Sequence, residues 1–387
     1  MPSMIARSLF VLGLASLPSY AQAPIAGARP AADTVVRVVN APRSPLPSEA
    51  QSAGVTRFSF IAYGDTRGRL DGTALQHEHG LVVASMLRTI AARANSADPV
   101  RFIVSSGDGV VGGGNVQMWN TSFVDVVNRL TTEAGMPFFP TAGNHDVTGV
   151  FNVADTLRLK GLRNFLSVFK QLIPADGSAR RLAGYPTYAF GYGNTFVLAM
   201  DSNIGGDSVQ AAWIRAQFEG LDRGRYRNVV VVVHHPAFSS GPHGGFNVER
   251  ATLALRTIYM PLFRKHHVRL VLAGHEHLFE HWVERYKDAS GQSYRIDQIV
   301  SGGGGAPLYA YQGEPDLREY VRAAAADSVR LEHLVRPGMN AWENPYHYLV
   351  VHVDGEHLRV EVIGVDFGAE FRPYRSRSAD LDGPPNP

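Results

Sequence analysis

The chain of 387 residues is 45% hydrophobic and 19% charged, enough apolar material for a large core. A formal net charge of +2, with no block of like charge, excludes a basic nucleic-acid arm or an anionic-membrane patch as an organising feature. The absence of cysteine excludes disulfide frameworks, thiolate zinc sites and thiol nucleophiles.

Residues 1–23, MPSMIARSLFVLGLASLPSYAQA, pass from Arg7 through an apolar run (Leu9 to Leu17) to small residues at Ala21 and Ala23. That charged, apolar, small order predicts a cleaved signal peptide and an exported protein, periplasmic or secreted. The apolar run is too short to remain as a membrane anchor. Residues 24–54, rich in Ala, Pro and Ser, read as a linker, and residues 371–387 as a polar tail. One domain is expected over 55–370.

Within it, "RFSFIAYGD" predicts a strand, and "ALQHEHGLVVASMLRTIAARAN" a helix after it. "VRFIVSSGD" and "MPFFPTAGNHD" predict two more strands. "TYAFGYGNTFVLAMDSN" reads as a hairpin turning at Gly-Asn, followed by a helix in "SVQAAWIRAQFEGLDRG" with Val209, Trp213 and Phe218 on it. "VVVVVHHP" is a strand, "NVERATLALRTIYMPLFRKHH" a helix, and "VRLVLAGHEH" a strand again. "YHYLVVHVDGEHLRVEVIG" closes the series as a hairpin turning at Asp-Gly. Alternating strands and helices imply an α/β fold, and the hairpins make its sheets mixed. Two such sheets packed face to face with helices outside fit this order.

Every buried strand of this series ends in a polar tip. In chain order these are Asp65, Asp108, Asn144-His145-Asp146, His234-His235, and His275 with His277. Singly, each has an ordinary structural role as a turn, cap or interior residue. Ligands of open α/β sheets gather outside the carboxyl ends of strands, so the tips converge. Two Asp, one Asn and three or four His supply hard oxygen and borderline imidazole donors, suited to two divalent or trivalent ions such as Mn, Fe or Zn. A metal pair bridged by one carboxylate serves in-line displacement at phosphorus.

In this order the tips resemble the calcineurin-like metallophosphoesterases, the superfamily that includes the purple acid phosphatases. Its motifs run GD-x-H, GD, GNH-D/E, H-x-P or H-H, and GH-x-H. Here they read Gly64-Asp65-Thr66-Arg67, Gly107-Asp108, Gly143-Asn144-His145-Asp146, His234-His235-Pro236 and Gly274-His275-Glu276-His277. The resemblance implies a four-layer α/β/β/α sandwich with a dimetal site at the strand ends. It implies that Asp108 bridges, that Asn144, His234 and His275 complete the second metal, and that Asp65 and His277 bind the first. His145 then lies beside the leaving group, with Asp146 orienting its imidazole. His235 is either a further ligand or an interior histidine.

One motif departs from the pattern. Where the family places a first-metal His, this chain has Arg67, and at the position of the purple acid phosphatase Tyr it has Val111. A guanidinium offers no lone pair, so first-site occupancy is open. Three readings stand: water or a neighbour such as His79 completes the first site while Arg67 clamps substrate phosphate; the first metal binds weakly or only with substrate; or Arg67 turns outward to pair with an acid. The expected activity is hydrolysis of small-molecule phosphomonoesters or phosphodiesters by a metal-activated hydroxide, with specificity carried by residues 109–120, 147–185 and 239–247. The competing reading is a metal- or phosphate-binding protein with little turnover. Gly-rich "GGGNVQ" and "SGGGGAP" lack the spacing of a nucleotide-binding loop.

Overall fold

A computed structural model describes residues 33–68, 75–148, 152–244, 248–365 and 377–381. The signal-peptide stretch 1–23, the start of the linker and most of the tail lie outside the described residues. The strands are β1 Arg57–Tyr63, β2 Val100–Ser105, β3 Phe138–Pro140, β4 Tyr188–Tyr192, β5 Thr195–Met200, β6 Asn228–Val233 and β7 Leu270–Ala273. They continue with β8 Phe279–Lys287, β9 Ser293–Ser301, β10 Arg330–Val335, β11 His347–Asp354, β12 His357–Gly364 and β13 Arg377–Asp380.

Two mixed sheets form. One has the order β13-β12-β11-β1-β2-β3, the other β10-β8-β9-β7-β6-β5-β4. Parallel pairing joins β1 to β2 and β2 to β3 in the first sheet, and runs through β5, β6, β7 and β9 in the second. The alternation of side chains in β6 shows why. Val230 and Val232 join the core shared with Phe58, Phe60 and Phe102 of the other sheet. Val229, Val231 and Val233 join a second core with Ile214 and Phe218 of the helix Ser208–Glu219. A strand wet on neither face has to be apolar, and from Val229 onward this one is. The helix His77–Arg93 covers the first sheet through Val82, Val83 and Met86. The result is the four-layer α/β/β/α sandwich.

The two expected hairpins turn where a left-handed residue is required. Gly193 (φ 57°) joins β4 to β5 and Gly355 (φ 64°) joins β11 to β12. The helix expected before β7 is broken into Arg250–Ala254, a π turn Leu255–Tyr259 and Met260–Lys265. Pro261 has no N–H to return to the previous turn, which shifts the hydrogen-bond ladder there.

Three findings correct the reading of the sequence. First, β8 and β9 form a long antiparallel pair that the apolar pattern conceals. Glu280 and Glu284 of β8 are buried, but each is satisfied: Glu280 accepts from Ser240 Oγ (2.7 Å), Glu284 from Arg264 Nη1 (2.8 Å). Second, residues 33–54 are irregular as a linker should be, yet docked. Val36 and Val39 are buried, Val39 N–H donates to Val168 O at 2.9 Å, and Glu49 pairs with Arg180 at 2.8 Å. Third, β13, inside the stretch read as a tail, adds an edge strand to β12. Among the described residues no helix is long and apolar enough to cross a membrane.

Candidate metal centre and its surroundings

Asp65 follows β1, Asp108 follows β2, Asn144 to Asp146 follow β3, His234 follows β6, and His275 and His277 follow β7. The tips of both sheets meet. The His275 N–H donates to both Asp65 carboxylate oxygens (2.9 and 3.0 Å), stitching one sheet to the other. Asp65 N–H donates to Gly107 O (2.9 Å), and His145 N–H to Asp108 Oδ1 (2.9 Å). Asp65, Asp108 and His275 all sit in the left-handed region, at φ 57°, 57° and 71°. Such backbone strain in non-glycine residues is concentrated at sites that have to aim side chains. The glycines of the motifs make room: a Cβ on Gly143 would overlap the Asp108 carboxylate, and one on Gly274 the Asp65 carboxylate.

The three histidines expected as ligands are each fixed from outside. His234 Nδ1–H donates to Ser106 O (2.9 Å), His277 Nδ1–H to Pro307 O (2.6 Å), and His275 Nε2–H to Glu249 Oε2 (3.1 Å). In each the other nitrogen keeps its lone pair and faces inward. His234 Nε2 lies 2.8 Å from Asn144 Oδ1 and 3.4 Å from Asp108 Oδ1; His275 Nδ1 is 3.2 Å from both Asn144 Oδ1 and His234 Nε2. His277 Nε2 is 3.6 Å from Asp65 Oδ1. Burial pushes His234 down to about 4 and His277 to about 3, so both imidazoles stay neutral. Asp65, Asp108 and His234 each offer a ligand atom, all within 4.8 Å of one another. Acceptors packed against acceptors, with no proton among them, are what a bound cation resolves. The residues of the second position therefore fit a metal ion.

The first position differs. Arg67 is buried and does not turn outward. Its Nε stands 3.6 Å from Asp108 Oδ2, an ion-pair distance, and Nε and Nη1 have no hydrogen-bond partner among the described residues. His79 does not complete the site. It is fully buried, with Nδ1 3.0 Å from Gln76 Oε1 and Nε2 3.4 Å from Tyr63 OH.

Asp146 does not orient the His145 imidazole, contrary to expectation. Its carboxylate accepts from the backbone N–H groups of Asp108, Gly109 and Gly143 (2.9, 2.9 and 3.0 Å). It therefore shapes the Asp108 turn. The carbonyl of Val111 holds His145 instead, 2.7 Å from Nδ1. Backbone carbonyls leave no trace in residue identity, so Val111 was visible only as the absence of a Tyr. His235 is buried, with Nδ1 2.8 Å from Ser202 Oγ and its ring 4.3 Å from that of His275, and it also forms, with Glu249 and His275, a second set of ligand atoms within 4.8 Å of one another.

Glu249 was not anticipated, because a Glu preceding a helix reads as a cap residue. It stands 3.1 Å from His275, 3.5 Å from His235 and 3.3 Å from His243. His243, in the loop 239–247, is half-exposed and its pKa is raised by the bond to Glu249. These acid–histidine contacts mark the rim of the site beside the second position.

Fold and site together define a metal-dependent phosphoesterase architecture. The chain matches the family model described as Calcineurin-like phosphoesterase over residues 76–279, and it belongs to that family. The match begins beyond Asp65 and Arg67. Over 165 residues it is 28% identical to Fe(3+)-Zn(2+) purple acid phosphatase 12 of Arabidopsis thaliana, covering 42% of this chain and 32% of that one. It is 23% identical over 262 residues to purple acid phosphatase 4 of the same plant, covering 66% and 70%. The chain thus spans about a third of the first relative's length. Purple acid phosphatase PPD1 from yellow lupin (Lupinus luteus) seeds shares the fold, with a TM-score of 0.58 at 16% identity over 85% of this chain and 54% of that one.

Proposed function

We propose that this chain is a metal-dependent phosphoesterase acting on small phosphomonoesters or phosphodiesters. The observation that carries this reading is the set of inward lone pairs on Asn144, His234 and His275 around Asp108, with the two imidazoles held by hydrogen bonds from outside to Ser106 O and Glu249. Those four residues would hold a metal ion, with Asp65 and His277 on the far side of Asp108. A metal ion bound there supplies Lewis acidity and activates water at neutral pH.

The remaining chemistry belongs to the chain itself. Arg67 presents unpaired N–H donors suited to phosphoryl oxygens. As water gives up one proton to solvent and its oxygen bonds to phosphorus, the bond from phosphorus to the leaving oxygen breaks. Its electron pair stays on that oxygen, which takes a proton from His145. Val111 O fixes Nδ1, so Nε2 is the nitrogen that delivers it. No residue has to become phosphorylated. The single domain 55–370 with docked residues 33–54 would carry this activity. The charged, apolar and small order of residues 1–23 supports export to the periplasm or outside the cell. The relatives' description as purple acid phosphatases supports Fe and Zn among the ions to be tried.

The test is turnover of p-nitrophenyl phosphate and bis(p-nitrophenyl) phosphate by protein loaded with Mn, Fe or Zn. Turnover is expected to vanish with chelator and return with metal. No turnover of either substrate under any loading would leave the binding-protein reading in its place.

A further inference from the structure

The two positions of the site are not equally able to take a cation. At the second, four donors point inward at one volume. At the first, Asp65, Asp108 and His277 remain, but a cation is already built in. The Arg67 side chain is 7% exposed, and its Nε lies 3.6 Å from Asp108 Oδ2. Its backbone is fixed by that same residue: Thr66 N–H and Arg67 N–H both donate to Asp108 O (3.0 and 2.9 Å). The turn places the Arg67 Cα beside Asp108, and burial with the ion pair to its carboxylate keeps the guanidinium there. Tyr309 stacks on His277, with ring centroids 4.1 Å apart. A metal ion beside the guanidinium would meet like charge in a dry site with one ligand fewer than usual.

We infer that the chain holds a single tightly bound metal ion, between Asp108, Asn144, His234 and His275, and that Arg67 serves as the second, non-exchangeable cation. Its charge offsets Asp65 and Asp108. Its buried Nε and Nη1, free of hydrogen-bond partners among the described residues, are the donors left for an oxyanion. Each can give a charge-assisted N–H bond to an oxyanion, which a metal ion would bind by coordination. The anion in this inference rests on the phosphoester reading; the metal count does not.

The experiment is a titration of chelator-stripped protein with Mn2+ alone, followed by calorimetry and by electron paramagnetic resonance. Wild type is expected to take one equivalent and give an uncoupled Mn2+ spectrum. Arg67→His is expected to take two and show spin coupling. Arg67→Lys, which keeps the charge, is expected to stay at one. Inorganic phosphate binding to protein loaded with one equivalent of Mn2+ is expected to weaken roughly 10- to 100-fold in Arg67→Ala. Two equivalents in wild type within tenfold of each other in affinity, or a spin-coupled pair, overturn the inference whether or not the variants fold. Unchanged phosphate affinity in Arg67→Ala overturns the role as anion donor. One metal and tight phosphate without ester turnover would defeat the hydrolase reading and leave this one standing.

Discussion

The two halves of the centre come from the same kind of strand tip but solve the charge problem differently. Around His234 and His275 every inward atom is an acceptor, and the compensating cation has to arrive from solution. Around Asp65 and His277 the chain brings its own, Arg67, on the loop that carries Asp65. A half that needs an ion responds to chelators and competing protons. A half with a covalently attached charge responds to neither. The difference teaches that the motif order alone fixes where charge must be neutralised, while one residue in it decides by what.

The largest expected effect tests the first of these halves. His234→Ala should remove the metal and lower kcat/KM by roughly 10³-fold or more, because it deletes an inward lone pair outright. Asp65→Asn should leave the metal equivalent in place; joint loss in both variants, read by elemental analysis, would erase the distinction between the halves. Next, His145→Ala should reduce turnover by roughly 10²- to 10⁴-fold with metal content unchanged, and by less for substrates whose leaving group needs no proton. An equal loss for good and poor leaving groups would move His145 from proton donor to binding residue.

Smaller effects probe the support behind the ligands. Glu249→Gln keeps an acceptor for the His275 Nε2–H but removes its charge, and metal affinity should fall by roughly 10- to 100-fold at most. Glu249→Ala should cost more; no difference between the two would mean the carboxylate acts only by filling space. The last effect concerns protons. Burial lowers His234 to about 4 and His277 to about 3, below the unfolded value near 6.5. The unfolded chain therefore takes protons first. Stability of the metal-free protein is fully present above about pH 6.5 and declines as pH falls toward 4, by at most about 3 kcal/mol for His234. Thermal melts of chelated protein across that window check it, with a shallower slope expected in His234→Asn.

Much of this was legible in the sequence because the site sits where periodicity stops. An apolar run that ends in Gly and a polar residue announces a strand and its tip together, as at Asp65, Asp108 and His275. The Gly-Asn and Asp-Gly turns at Gly193 and Gly355 were legible for the same local reason. What escaped was non-local. Glu249 matters only because two chain segments bring it to His275. The roles of Val111 and Asp146 run through backbone groups that every residue possesses. β8 escaped because its acids find partners from Ser240 and Arg264, far away in the sequence, and buried acids imitate a surface pattern. His79, attractive as a spare ligand by type, is an interior residue because Tyr63 and Gln76 claim its two nitrogens.

The left-handed backbone at Asp65 and Asp108 has a practical consequence for anyone improving this protein. An ordinary side chain held there costs on the order of 1 kcal/mol, which Gly would recover and Asn would partly recover. The same exchanges would also relieve the crowding of buried carboxylates. A selection scored on heat resistance alone should therefore enrich Asn at one of the two positions, which keeps an acceptor for the neighbouring N–H while the other carboxylate still counters Arg67, and deliver robust, inert molecules. Any directed-evolution scheme for this scaffold has to score catalysis in the same round as endurance.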